Sequence, residues 1–315
     1  MVRYLAVRTA QGLLIIFLVS LGTFSMMHLV PGDPVSLLLG EGGVPVTKEV
    51  IENIRRHWGL DRPWYIQFFT WFGNMLRGDM GQSMVRRGEP VGKMIWEAAW
   101  VTFRLNAFST VLAVAISLPL GVLAAVRRYT WLDYFVMTGS TLGIAMPNFW
   151  LSLILIILFA HILGLLPPFG IDSWKGWVLP VIVLASDQTA LFARMMRAST
   201  LEALSQDYVR TARAKGLSAR RVIYNHVVRN ALLPIVTLIG YRAAYILSGT
   251  IVVETIFAIP GLGQLFTLSV LYRDYQVIQA IVLVFGVLVV VANLLTDLTY
   301  AMVDPRIRLV GVGGD

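Results

Sequence analysis

Six stretches of this chain are apolar for about as long as a lipid bilayer is thick, and that recurrence limits its fold more than any other feature. They are Thr9–Val30, Leu105–Val126, Tyr134–Leu166, Trp177–Met196, Pro234–Phe257 and Val277–Met302. A helix of about 20 apolar residues crosses the ~30 Å hydrocarbon core. Inside that core a backbone must satisfy its own hydrogen bonds, which an open strand fails to do. The expected fold is therefore all-α, an integral membrane protein of about six transmembrane helices. Charge agrees: only 14% of the 315 residues are charged, where a soluble domain carries about 25%. The third run, 33 residues from Tyr134 to Leu166, would make roughly 50 Å of straight helix. Gly143 and Pro147 interrupt it, so a kinked helix or a short segment leading into a span is expected there.

A net charge of +8 in such a chain points to Lys and Arg held on the cytoplasmic face rather than to nucleic acid. Arg3 and Arg8 precede the first span, Arg127 and Arg128 follow the second, and Arg306 and Arg308 follow the sixth. Placing these basic loops inside puts both termini in the cytoplasm, with residues 303–315 as a C-terminal tail. Residues 1–30 then form a short tail and the first span, and residues 31–104 an extracytoplasmic segment. The Lys and Arg of that segment do not oppose the assignment, because loops beyond about 60 residues escape the rule. The opening MVRYLAVR superficially resembles a signal peptide, but the apolar run continues without a small-residue cleavage site and reads as an uncleaved span. Within the external segment, KEVIENIRRHWGL reads as a helix closed by Gly59. PWYIQFFTWFGNML reads as an aromatic amphipathic helix, either at the membrane surface, packed as a cap on the spans, or docking an external partner.

The basic block DYVRTARAKGLSARRVIYNHVVRNALLP, Asp207–Pro234, interrupts this apolar chain. Ser199 and Glu202 have capping-box spacing, which starts a helix at Thr200. That helix stops at Gly216, a left-handed terminator. Ser218 caps a second helix that Pro234 ends. The expectation is a cytoplasmic helix–Gly–helix hairpin over 199–234. Its Val222, Ile223, Val227 and Ala231 form an apolar stripe that calls for a groove on another protein. A plain solvated loop attracted to anionic membrane lipid is the simpler alternative.

Charges inside the spans mark further candidates. Asp187 and Arg242 lie deep and cost several kcal/mol unless paired or hydrated. They form either an ion pair or, for Arg242 with Tyr245 and Gly249 on its face, part of a pathway. Glu254 and Asp297 lie near span ends, where capping or interface roles suffice. After span five, ETIFAIPGLG carries Pro260, Gly261 and Gly263, which break a helix, while Ile256, Phe257 and Leu262 offer apolar bulk. It reads as a folded-back gate or as a simple turn. RGEPVGKM is one residue short of a phosphate loop and lacks the following Ser or Thr. The four histidines lack the i, i+4 pairing of a metal or haem site. No nucleophile and base stand at matching depth. The chain is expected to be neither an enzyme nor a metal or cofactor carrier.

Several motifs share one resemblance. RTARAKGL (Arg210–Leu217) followed by HVVRNALLP (His226–Pro234) resembles the coupling motif of ATP-binding cassette importer permeases of the dipeptide/oligopeptide/nickel branch. Arg210 stands where the general motif has Glu, and only Ala212 and Gly216 keep its pattern. FSMMHLVPGDP (Phe24–Pro34), RGDMGQS (Arg77–Ser83), ETIFAIPGLG (Glu254–Gly263) and VDPRIR (Val303–Arg308) resemble other blocks of that branch, in the same order. The early PGDP is similar to the first of its two permease types.

That resemblance implies a transmembrane importer domain over residues 98–302 in a prokaryotic plasma (inner) membrane. It implies a homologous second permease, two cytoplasmic ATPases that bind the ATP and Mg, and an external substrate-binding protein. Arg210, Thr211, Ala212, Arg213, Lys215, Gly216, Leu217, Ile223 and His226 would then face an ATPase groove. The cargo would be short peptides or a related small solute. An ion-coupled secondary carrier is the competing transport class, since it too places charges in spans, but it leaves the hairpin unexplained. A membrane anchor or receptor would lack deep charges.

Overall fold

The computed structural model describes residues 2–29, 49, 52–53, 56, 61–86, 88–244 and 246–303. Among them the chain is helical, with no strand beyond an isolated bridge between Gln82 and Pro90. The order is α1 (Val2–Leu29), α2 (Trp64–Leu76), α3 (Val91–Val126), α4 (Trp131–Ala145) and α5 (Asn148–Leu155), which continues as a π-helical stretch, Ile156–Ile162. Then come α6 (Trp174–Leu204), α7 (Asp207–Ala214), α8 (Ala219–Val222), α9 (Leu233–Ala244), α10 (Ile246–Ile256), α11 (Leu262–Leu271) and α12 (Tyr275–Val303). Between α8 and α9 the chain stays helical, as a π turn at Ile223–Val228 and a last α turn at Arg229–Ala231.

Among the described residues five stretches are long and apolar enough to cross a membrane: Val7–Met26, Val91–Val126, Trp174–Leu204, Ala219–Gly240 and Tyr275–Leu294. The expected fifth span, Pro234–Phe257, is not among them: α9 and α10 occupy it, and the stretch of sufficient length, Ala219–Gly240, starts within the hairpin instead. α4 and α5 with its extension make a further span broken by a 103° bend. The break falls at Met146, whose extended backbone (φ −78°, ψ 120°) is what a following proline imposes. Two expected boundaries shift. The second helix begins at Val91, not near Leu105. Pro234 does not end the hairpin's second helix: it sits in the first turn of α9, where its missing N–H is not needed, and Val236 N–H still reaches Leu232 O at 3.0 Å. The expected helix ending at Gly59 and the tail with Arg306 and Arg308 lie outside the described residues, apart from isolated positions of the former.

The chain separates into two compact units, residues 1–100 with 265–315 and residues 101–264. In the first, α1 lies along α12. α2 presents Phe68 and Trp71 to Phe17 and Phe24 of α1, with Phe17–Phe68 and Phe24–Trp71 centroids both 5.8 Å apart, inside the range of favourable aromatic pairs. The aromatic stretch is thus a cap on the first span, with Trp64, Tyr65 and Phe69 on its free side. The turn after α2 is tied down by Asp274 at the start of α12, which accepts from Ser83 Oγ and, at 3.2 Å, from Met84 N–H.

In the second unit α6 is the central helix. Leu179, Val183 and Leu184 pack with Leu105 of α3, Val253 of α10 and the following Phe257 and Ile259. Further along, Ala193 meets Ala124 and Val136, and Met196 meets Ala231 and Ile235. At the α3–α6 crossing a β-carbon on Gly121 would come 2.8 Å from the Ala193 carbonyl oxygen. Small residues permit such backbone-to-backbone approach where lipid supplies no hydrophobic drive.

Candidate functional site

The hairpin is built as an extension of α6. α6 runs unbroken through Ser199 and Glu202 to Leu204, so these residues do not form a capping box. The N–H groups that such a box would satisfy are already bonded within the continuous helix. α7 instead follows Gln206, and neither Gln206 nor Ser218 makes a side-chain cap bond. The sequence-based stop is present: Gly216 has φ +76°, its N–H bonds Arg213 O at 2.9 Å and the next N–H reaches Ala212 O at 3.4 Å. This is the Schellman closure, which favours glycine at that position.

The apolar stripe is not left open for a partner. Val222 and Val227 are buried with Val209 and Ala212 of α7 and Ala203 of α6, flanked by Leu204 and Leu217, while Ala231 packs on Met196. The chain covers its own stripe, which corrects the expectation that it needs an external groove. What remains outward is polar. Arg210, Thr211, Arg213, Lys215 and Gly216 are exposed, Leu217, Ile223 and His226 are half-buried, and Ala212 is buried. Tyr208 and Tyr224 stand exposed beside the basic residues. The Arg210–Asp207 contact at 3.3 Å is fully in solvent and contributes little.

The segment after α10 is organised by one carboxylate. Glu254 is 0% exposed. Its Oε1 accepts the Thr102 hydroxyl at 2.6 Å. Its Oε2 accepts Gly263 N–H at 2.7 Å and Gln264 N–H at 3.2 Å. Thr102 Oγ1 in turn accepts Leu262 N–H at 2.8 Å. The first turn of α11 therefore finds all three partners on α10 and α3, and the carboxylate meets the positive end of a helix. Gly261 follows from this, since a β-carbon there would collide with the carboxylate, whereas one at Gly263 would first meet the Ile251 backbone and then Oε2 at 2.9 Å. Phe257 and Leu262 are buried, and Pro260 is exposed. Phe257 and Ile259 belong to the unit's core. Thr102 was not singled out by sequence, since it precedes the apolar run that defines span two.

Among the described residues two ion pairs cross α6, and they differ. Arg242 Nη1 donates to Asp187 Oδ2 at 2.9 Å, with side chains 36% and 28% exposed. Arg197 holds Asp133 with both oxygens, Nε to Oδ1 at 2.5 Å and Nη2 to Oδ2 at 2.8 Å, and Oδ2 also accepts Tyr129 N–H at 3.0 Å. Sequence reasoning missed this second pair. Arg197 lies one residue past the expected end of span four and reads as a loop charge. The signal was Thr130-x-x-Asp133, a first-turn acid after a helix start. Tyr245 lies outside the described residues, as do the surroundings of Gly249 and the side chain of Asp297. Among the described residues no cluster of His, Cys, Asp or Glu could hold a metal ion.

Residues 117–309 match the family described as binding-protein-dependent transport system inner membrane component, and residues 1–98 match the N-terminal family of such membrane components. The oligopeptide transport system permease protein AppB of Bacillus subtilis is 41% identical, covering 98% of this chain and 100% of its own. The glutathione transport system permease protein GsiC of Escherichia coli K12 is 42% identical, covering 98% and 99%. A putative peptide transport system permease protein of Brucella abortus is 39% identical over 96% and 97%. Among solved structures, an amino acid ABC transporter crystallised with histidines shares the fold over 66% of this chain and 92% of its own, with a TM-score of 0.53 and 17% identity.

Proposed function

The chain belongs to the family of binding-protein-dependent transport system inner membrane components, as a permease subunit of an ATP-binding cassette importer, and we propose that its cargo is short peptides or a closely related small solute. Family membership brings ATPase and binding-protein components in general and removes the ion-coupled alternative. The finer reading is that a homologous second permease completes the pathway and that two ATPase subunits bind the ATP and Mg. This chain itself hydrolyses nothing. Both termini and the 199–234 hairpin face the cytoplasm, because the short Lys/Arg-rich loops lie on that side. The segment from Glu254 to Gly263 then lies at the outer end, folded back on its own bundle as a wall of the pathway.

The observation that carries the coupling role is the mounting of the hairpin. Its apolar stripe is locked to the end of α6, so a push on Arg210, Arg213, Lys215 or Gly216 is transmitted to the central helix of the unit rather than absorbed by a loose loop. Gly216 tests it. No atom lies within 4 Å of a β-carbon built there, so a side chain would not disturb the chain's own packing except through the left-handed backbone, at about 1–2 kcal/mol. Gly216→Val should insert and fold, yet lose at least about tenfold in peptide-stimulated ATPase activity of the assembled importer. Gly216→Asn tolerates the left-handed backbone and isolates the steric part. Normal stimulation in Gly216→Val would remove the hairpin from the coupling route.

A further inference from the structure

The two ion pairs on α6 are finished to different degrees, and the difference is informative. Asp133–Arg197 is closed: both carboxylate oxygens are used and the aspartate is 3% exposed. Asp187–Arg242 is open. Among the described residues it consists of a single hydrogen bond, which leaves Asp187 Oδ1 and most of the five guanidinium N–H groups of Arg242 unused. Asp187 sits near the middle of α6, roughly 20 Å from one end and 26 Å from the other. Both side chains are accessible there, although α6 is the most buried of the long helices.

Asp187 also begins a strip of α6. Leu191, Arg194, Ala198 and Glu202 follow at helical spacing, and every one of the five is half-exposed or exposed. Two charges on this strip short of the hairpin, Asp187 and Arg194, are not compatible with lipid, where each would cost several kcal/mol. The strip faces water or protein. Beside the pair, Gln188 is already satisfied by Thr110 at 3.0 Å and by Leu184 O at 3.0 Å, so it does not compete for Asp187.

We propose that Asp187 and Arg242 form a charge-reading station in the pathway, where a zwitterionic peptide places its terminal ammonium on Asp187 and its terminal carboxylate on Arg242. This rests on the importer reading above and names the substrate class the station accepts. The exchange replaces one internal ion pair by two with the substrate, and the site is neutral before and after. A peptide lacking one terminal charge leaves the opposite residue unpaired, so the station favours zwitterions over blocked peptides.

The test uses the whole importer in liposomes with saturating binding protein, so that binding-protein affinity drops out. Single-turnover uptake is measured for trialanine, N-acetyl-trialanine and trialanine amide. Asp187→Asn should reduce trialanine uptake about tenfold and abolish its advantage over the N-acetyl form, leaving uptake of that form nearly unchanged. Arg242→Gln should do the same against the amide only. Should either variant fail to retain its ATPases, Asp187→Glu and Arg242→Lys, which keep the charges, should preserve both preferences. Equal losses for all three peptides would make the pair a brace and overturn the station. Absence of uptake of every peptide by the unsubstituted importer would overturn the peptide reading beneath it.

Discussion

Glu254→Ala should deplete the membrane of folded permease. The substitution removes the acceptor of the Thr102 hydroxyl and of two N–H groups at the start of α11, in a place without water access. Unsatisfied buried donors cost about 1–3 kcal/mol each, so a loss of at least about 3 kcal/mol is expected. That is a large share of a typical stability of about 5–15 kcal/mol. Glu254→Gln should be milder, because one amide oxygen still accepts from the two N–H groups while the amide nitrogen donates to Thr102. Gly261→Ala should be severe alone, since its β-carbon occupies the space of the carboxylate. In a Glu254→Ala background the same change should cost much less, because the obstacle is gone. Titration of detergent-solubilised protein with sodium dodecyl sulfate, followed by tryptophan fluorescence, reads each midpoint. A Glu254→Ala protein as resistant as the original would show that another group caps the segment.

That site illustrates which parts of the fold were legible. Five of the six expected spans follow from the length of an apolar run, because the bilayer sets that length, whereas the run Pro234–Phe257 forms two short helices, α9 and α10. The break in the third run is equally local: a proline decides it, and the bend falls at Met146–Pro147. Gly216 was legible because a left-handed stop is a property of a few adjacent residues. Ser199 and Glu202 misled for the complementary reason. A capping box is a signal only where a helix begins, and tertiary packing carries α6 through it. The apolar stripe of the hairpin was visible, but its partner was not: Ala203 and Val209 that cover it lie in segments read as polar. The Glu254 network joins residues 152 positions apart, which no local pattern encodes. The glycines were seen as helix breakers, whereas they also make room for a carboxylate.

The Asp133–Arg197 pair yields the other large effect, and its asymmetry is the informative part. Asp133 is buried, whereas Arg197 keeps 21% of its side chain exposed. Removing Arg197 strands a carboxylate with no route to water. Removing Asp133 leaves a guanidinium whose end can turn outward, though Tyr129 N–H loses its acceptor and the left-handed Tyr129 (φ 64°) loses its anchor. Arg197→Met should therefore cost more than Asp133→Ala, about 4 against about 2 kcal/mol, the second being discounted for the exposed arginine. The double substitution leaves neither charge stranded and should fall below the sum of the singles by at least about 1 kcal/mol. The same detergent titration on the four proteins closes the cycle. Because the pair ties the turn between α3 and α4 to α6, limited proteolysis should also cut after Arg127 or Arg128 sooner in each single variant than in the parent. Equal costs for the two singles, or strict additivity, would mean that the bidentate contact does not hold this turn to α6.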